Sequence, residues 1–116
     1  MFVPTARLLQ RVSRITLFTR QGCSLCENAK GVLSNVWDKR PFEYTEIDVM
    51  APGQQRWKDV YEFDTPVIHV EKKPAKESQE TTTAARKLMH RFKEEQVEAL
   101  MDEAEKDPTE ESRNGV

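Results

Sequence analysis

Residues 15–36 have the sequence ITLFTRQGCSLCENAKGVLSNV and contain both cysteines of the chain, Cys23 and Cys26. The short apolar run at residues 15–18 predicts a buried strand, and Gly22 permits a sharp turn after it. Apolar residues then recur at three- and four-residue steps, which predicts one apolar face of a helix: Leu25, Ala29, Val32, Leu33, Val36 and Trp37. We therefore expect a strand, a turn and a helix with both cysteines in its first turn.

The position of Cys23 at a helix start predicts a reactive sulfur. A helix N-terminus presents unpaired N–H groups and the positive end of the peptide dipoles, which stabilise a thiolate. The pKa of a thiol in such a motif falls from about 8.5 toward roughly 3.5–7.5. Cys26 lies about one helical turn away on the same side, within reach of a mixed disulfide formed at Cys23. We therefore expect Cys23 to be the nucleophile and Cys26 the resolving cysteine.

The composition predicts one small folded domain. Of the 116 residues, 37% are hydrophobic and 33% are charged, so the chain is polar without being disordered throughout. The net charge of −2 gives no electrostatic case for nucleic acid, and no apolar run is long enough to span a membrane. Two cysteines three residues apart are too few for a secreted disulfide scaffold. We therefore expect a reducing compartment, the cytoplasm, and a monomer.

The two ends of the chain differ from the middle. Residues 1–14 are basic and contain no acidic residue, a composition shared by mitochondrial presequences. The alternative is a disordered or loosely docked N-terminal arm, which we favour because the segment is short and a strand follows directly. Asp107 and Pro108 are expected to end the last helix and to begin a disordered polar tail at residues 107–116. A single domain is thus expected at residues 15–106.

The remaining patterns predict three more strands and two more helices. Strands are expected at residues 42–49, 67–70 and 87–92, helices at residues 54–61 and 93–106, and a long charged connection at residues 71–86. The first two strands flank a helix in a βαβ unit and should be parallel. The fold class is therefore α/β, in the order β-α-β-α-β-β-α. The 54–61 helix should bury Trp57, Val60 and Tyr61, while Trp37 and Phe92 are also expected in the core.

This order resembles the thioredoxin fold in its small glutaredoxin-like form, over residues 15–106. The resemblance is carried by a strand followed by Cys23-Ser-Leu-Cys26 at a helix start, by Thr65-Pro-Val-Ile-His69, and by Met89-His-Arg-Phe92. It implies a four-stranded mixed sheet flanked by helices and thiol–disulfide oxidoreductase activity. It also implies that Pro66 is cis and lies against the cysteine pair, and that the backbone of Thr65 contacts the substrate.

Two departures from dithiol glutaredoxins concern glutathione. Those proteins carry a lysine before the motif where this chain has Arg20, and a Gly-Gly and an aspartate where this chain has His90 and Arg91. We therefore name Arg20, Thr65, Pro66, His90 and Arg91 as candidate substrate-binding residues. Glutathione stays a candidate reductant or substrate, and no bound cofactor or metal is required. The expected partner is a disulfide-containing protein or a glutathione mixed disulfide.

Several alternatives stay open. Cys23, Cys26, His69 and His90 together offer four zinc ligands, although the histidines are not at zinc-finger spacing. His69 is otherwise expected within the sheet, satisfied by a neighbour. A thioredoxin-fold adaptor with little turnover would act through the charged 71–86 connection or the basic arm. Glu27, four residues after Cys23, either opposes the thiolate charge or is a solvated acid of the first turn.

Overall fold

The computed structural model describes residues 13–75 and 79–106. The elements follow the predicted order β-α-β-α-β-β-α. They are β1 (Ser13–Thr19), α1 (Ser24–Lys39), β2 (Glu43–Asp48), α2 (Gln55–Tyr61), β3 (Val67–Lys72), β4 (Arg86–Met89) and α3 (Glu94–Lys106). Residues 1–12 of the arm predicted at residues 1–14, and the tail predicted at residues 107–116, lie outside the described residues. Ser13 and Arg14, which the sequence assigned to the arm, belong to β1.

The four strands form one mixed sheet in the order β2-β1-β3-β4. The β1 strand pairs in parallel with β2, as expected for a βαβ unit, and antiparallel with β3. The β4 strand pairs antiparallel with β3 at the other edge. The two central strands, β1 and β3, therefore hold the sheet together, and the predicted mixed sheet is confirmed.

The sheet carries apolar side chains on both faces. On one face, Ile15, Leu17, Ile68 and Val70 pack with side chains of α1 and α3. On the other face, Phe18 and Val67 pack with Val49 and two side chains of α2, Trp57 and Tyr61. Every residue of β1 is buried because helices or loops cover both faces of this central strand. The described part of the molecule is thus three layers, with the strand that leads to Cys23 at its centre.

Two side chains that the sequence placed in the core are exposed. Trp37 is 39% exposed because it packs beside the edge strand β2, where its Nε1 donates to the Phe42 carbonyl oxygen at 3.2 Å. Val60 is 47% exposed, since Trp57 and Tyr61, one turn apart, occupy the side of α2 that meets the sheet. The predictions for Trp57, Tyr61 and Phe92 are confirmed, as all three are buried.

The end of β4 also differs from the prediction. The strand stops at Met89 instead of continuing to residue 92, because His90 adopts a left-handed conformation with a φ of 66°. The backbone N–H of His90 donates to the carbonyl oxygen of Pro66 at 2.7 Å. Phe92 is therefore buried from the segment between β4 and α3 and not from a strand.

His69 lies in β3 and is satisfied by two neighbours, as predicted. Its Nε2 lies 2.6 Å from the Tyr61 hydroxyl, and its Nδ1 lies 2.8 Å from the Thr81 hydroxyl. Both partners are hydroxyls that donate or accept, so a neutral imidazole is satisfied in either tautomer. Thr81 lies between β3 and β4 in the sequence, and this contact holds Thr81 against the sheet.

Candidate functional site

The cysteine pair opens α1, as the sequence predicted. Gly22 has a φ of 75°, a left-handed conformation that glycine adopts without steric cost, and it turns the chain from β1 toward the helix. Cys23 is the N-cap residue, and its Sγ accepts a hydrogen bond from the backbone N–H of Cys26 at 3.1 Å. The sulfur of Cys23 thus lies at the positive end of the helix, where a thiolate is stabilised.

The two sulfurs differ in exposure. Cys23 and Cys26 are joined by a disulfide, with their Cα atoms 5.2 Å apart. Cys26 is completely buried, whereas Cys23 is only partly buried. A partner in solution can therefore approach Cys23 but not Cys26.

Thr65 and Pro66 lie beside the disulfide because of the sheet topology. β1 and β3 are antiparallel, so the end of β1, which leads to Cys23, is adjacent to the start of β3, which follows Pro66. The Thr65 Oγ1 lies 4.0 Å from the Cys23 Sγ. The Thr65–Pro66 peptide bond is cis, as the family resemblance implied.

His90 joins this cluster, and Arg20 flanks it. The hydrogen bond from His90 to Pro66 places the end of β4 next to the start of β3, and the His90 Nε2 lies 3.5 Å from Asp64 Oδ1. Arg20 donates from its guanidinium to the Glu62 carbonyl oxygen at 2.9 Å, which ties the turn before Cys23 to the loop before Thr65. The five predicted residues Cys23, Cys26, Thr65, Pro66 and His90 are therefore brought together, while Arg20 braces the site from one side.

Two depressions open beside the cysteine pair. The first, a polar cleft of about 510 Å³, is lined by Gly22 and by the charged side chains of Arg20, Glu27, Lys30, Glu46 and Asp48. The second, of about 300 Å³, lies between α1 and the segment that leads into α3, and Leu25 and Arg91 are among its lining residues. Glu27 and Lys30 line the first depression, whereas Leu25, Ala29 and Val32 line the second. At 3.6 residues per turn these two sets project from opposite faces of α1, so the depressions lie on the two sides of the helix that Cys23 caps. Arg91 thus lies in a groove next to the disulfide, not in direct contact with it.

Phe63 is a surface feature near the site that sequence reasoning missed. Its side chain is 87% exposed, and it lies two residues before Thr65. The only signal in the sequence is an aromatic residue between two acids, Glu62 and Asp64, outside any helical or strand periodicity. The Phe63 ring is therefore an exposed apolar surface in the loop that leads to Thr65.

Lys30 partly neutralises the charge on the first turns of α1. It lies 3.4 Å from Glu27, on the same helix, and 2.9 Å from Glu46, in β2. The hydrogen bond to Glu46 is the main cause that raises the pKa of Lys30, which therefore stays cationic. Glu27 is exposed, so its effect on the nearby sulfur is both shielded by Lys30 and screened by solvent.

The zinc alternative finds no support in the described residues. No group of three or more histidine, cysteine and acidic side chains is arranged there to hold a metal ion. Both ring nitrogens of His69 are already engaged by Tyr61 and Thr81.

Among the helices within residues 13–75 and 79–106, none has the length and apolar character needed to cross a membrane.

Known proteins share both the sequence pattern and the fold. The model of the glutaredoxin-like domain (DUF836) matches residues 14–102. A structural genomics target protein from X. campestris is 20% identical, with a TM-score of 0.55, and the match covers 78% of this chain and 97% of that one. A protein from Nitrosomonas europaea solved by NMR is 21% identical, with a TM-score of 0.54, and coverages of 78% and 91%. The chain therefore belongs to the glutaredoxin-like domain family, has a thioredoxin-like fold, and carries a cysteine pair that supports a thiol redox role.

Proposed function

We propose that this protein is a thiol–disulfide oxidoreductase that reduces disulfides of partner proteins or mixed disulfides. The observation that carries the proposal is the contrast between the two cysteines at the start of α1. Cys23 is the partly exposed N-cap and Cys26 is fully buried one turn later. Such a pair has one sulfur for the partner and a second sulfur that only Cys23 can reach.

The first step is attack by the Cys23 thiolate on a disulfide of the substrate. A bond forms between the Cys23 sulfur and one substrate sulfur, and the other substrate sulfur leaves as a thiolate that takes up a proton. The hydrogen bond from the Cys26 N–H and the dipole of α1 stabilise the attacking thiolate. Thr65 and Pro66 lie beside the reacting sulfur, where they support an extended segment of the substrate.

The second step releases the substrate. Cys26 loses its proton and attacks the Cys23 sulfur, so that the Cys23–Cys26 disulfide forms and the second substrate sulfur leaves as a thiol. The two electrons that reduce the substrate come from the two protein thiols. Two molecules of an external thiol, for which glutathione is a candidate, then reduce the protein disulfide and are themselves joined as a disulfide.

Serine variants of the two cysteines test these roles. Cys26→Ser should accumulate a mixed disulfide at Cys23 when the reduced protein meets a disulfide substrate, since the resolving sulfur is gone. Cys23→Ser should form no such adduct and should lose turnover, because Cys26 is buried. Intact-protein mass spectrometry measures the adduct, and reduction of a small chromogenic disulfide measures turnover.

Alkylation rates provide the control. In the reduced wild-type protein, iodoacetamide should label Cys23 faster than Cys26. Faster labelling of Cys26 would reverse the assignment. A wild-type protein that reduces no disulfide substrate, small or proteinaceous, would instead favour the adaptor function, in which the fold binds partners with little redox turnover.

A further inference from the structure

The groove between α1 and α3 has an apolar floor. Its floor is formed by Leu25, Ala29 and Val32 on α1 and by Phe92 before α3. From Leu25 to Val32 the helix rises about 10 Å, which matches about three residues of an extended chain. The groove therefore has room for a short extended segment that continues from a cysteine bound at Cys23.

The rim of this groove is basic. His90, Arg91 and Lys93 line it, and no aspartate or glutamate does. Arg91 and Lys93 are both exposed, and neither has a carboxylate partner within ion-pair distance in residues 13–75 and 79–106. Seven of the other twelve basic side chains in those ranges do pair with a carboxylate: Arg14, Lys30, Lys39, Arg40, Arg56, Lys73 and Arg86. Two exposed cations without a carboxylate partner among the described residues therefore flank an apolar groove that begins at Leu25, the residue before Cys26.

Neither Glu94 nor Glu98 of α3 pairs with a cation of this rim. Glu94 points toward α1, where it pairs with Lys39 and accepts a hydrogen bond from Asn35. The polar cleft that Gly22 lines has the opposite balance of charge, because three carboxylates and two cations line it. The two sides of the reacting sulfur thus differ in charge, and only the groove combines positive charge with apolar contact.

We propose that this groove docks an acidic segment of a partner protein, which carries an apolar side chain and a carboxylate within about three residues of its reactive cysteine. The apolar side chain packs on Ala29, Val32 and Phe92, and the carboxylate meets Arg91 and Lys93. The role assigned to the partner's cysteine rests on the proposed function, but the docking itself needs no electron transfer. Charge complementarity at an exposed rim contributes mostly to specificity and encounter rate.

The docking is tested without turnover, on the oxidised protein, by NMR titration with peptides in which serine replaces the reactive cysteine. Three matched peptides differ only in flanking residues: acidic with leucine, neutral with leucine, and acidic with serine in place of leucine. The first should bind most tightly and should shift the amide signals of residues 25–32 and 90–96. Its advantage over the neutral peptide should be at least about threefold, as exposed ion pairs allow, and should shrink at high salt.

Charge variants identify the side chains responsible. Arg91→Gln combined with Lys93→Gln should remove the preference for the acidic peptide. Lys72→Gln is the control, because Lys72 is exposed and is the last residue of β3, at the opposite end of that strand from Pro66. Equal binding of acidic and neutral peptides, or an unchanged preference in the double variant, would overturn the docking site. Failure of the cysteine variants to trap an adduct would overturn the proposed function alone.

Discussion

At the scale of single residues, the Glu27–Lys30 pair places charge in the first turns of the helix that Cys23 caps. Replacing Glu27 with Gln removes a negative charge from the helix face that holds the thiolate, so the pKa of Cys23 should fall. The fall should be only a few tenths of a unit, since Lys30 already offsets Glu27 and exposed pairs contribute less than about 1 kcal/mol. Thiolate absorbance against pH in the reduced protein measures the change, in low and high salt.

Glu103→Gln is the matched control for that measurement. Glu103 is also an exposed helical carboxylate paired with a cation, Arg86, but it lies in the second half of α3, away from the cysteines. It should leave the Cys23 pKa unchanged. If Glu27→Gln behaves in the same way, Glu27 is a solvated helix acid without influence on the thiolate.

At the scale of elements, the turn after β4 depends on a histidine in a left-handed conformation. His90 has a φ of 66°, a region that costs a non-glycine residue about 1 kcal/mol or more and disfavours a β-branched residue most. We therefore expect His90→Val to lower the free energy of unfolding by about 1 kcal/mol and His90→Gly to leave it equal or slightly higher. Urea unfolding of the three proteins measures the differences. A His90→Val protein with a higher free energy of unfolding than the His90→Gly protein would contradict this explanation of where β4 ends.

The end of β4 at that turn is a feature that the sequence did not predict. Apolar periodicity located every helix and strand of the described residues, because burial of one face is expressed directly in residue type. The spacing of Leu88, His90 and Phe92 suits a longer strand, and the enrichment of histidine in left-handed conformations is too weak a signal to end the strand at residue 90. The meeting of Cys23 with Thr65 came from the family resemblance, whereas the Arg20–Glu62 contact and the exposure of Phe63 depend on how distant loops pack.

At the scale of the whole molecule, His69 links stability to pH. Its side chain contacts Tyr61 of α2 and Thr81 before β4. Burial is the largest cause that lowers the pKa of His69, from 6.5 to about 4, and the charges of Lys87 and Arg14 lower it further. Between these values the unfolded chain binds a proton that the folded protein does not. Folding stability should therefore decline as the pH falls below 6.5, by at most about 3 kcal/mol at pH 4.

Variants separate this histidine from the other titrating groups. Urea unfolding across that pH window should show a shallower dependence for His69→Gln than for the wild type. His90→Gln, which leaves the buried histidine in place, should retain the wild-type dependence. A His69→Gln protein with the same pH dependence as the wild type would show that His69 is not the source of the loss.

The order of the strands has a consequence for how this chain can change over evolutionary time. Cys23 follows the central strand β1 and Pro66 precedes the central strand β3. The six residue pairs between β1 and β3 therefore hold the reacting sulfur close to Pro66. Both edge strands, and the connection between β3 and β4, lie outside these pairs. Insertions and substitutions can accumulate at the periphery while the two halves of the site stay in register. We therefore expect substitutions in the edge strands to be tolerated better than substitutions that alter the pairing of β1 with β3.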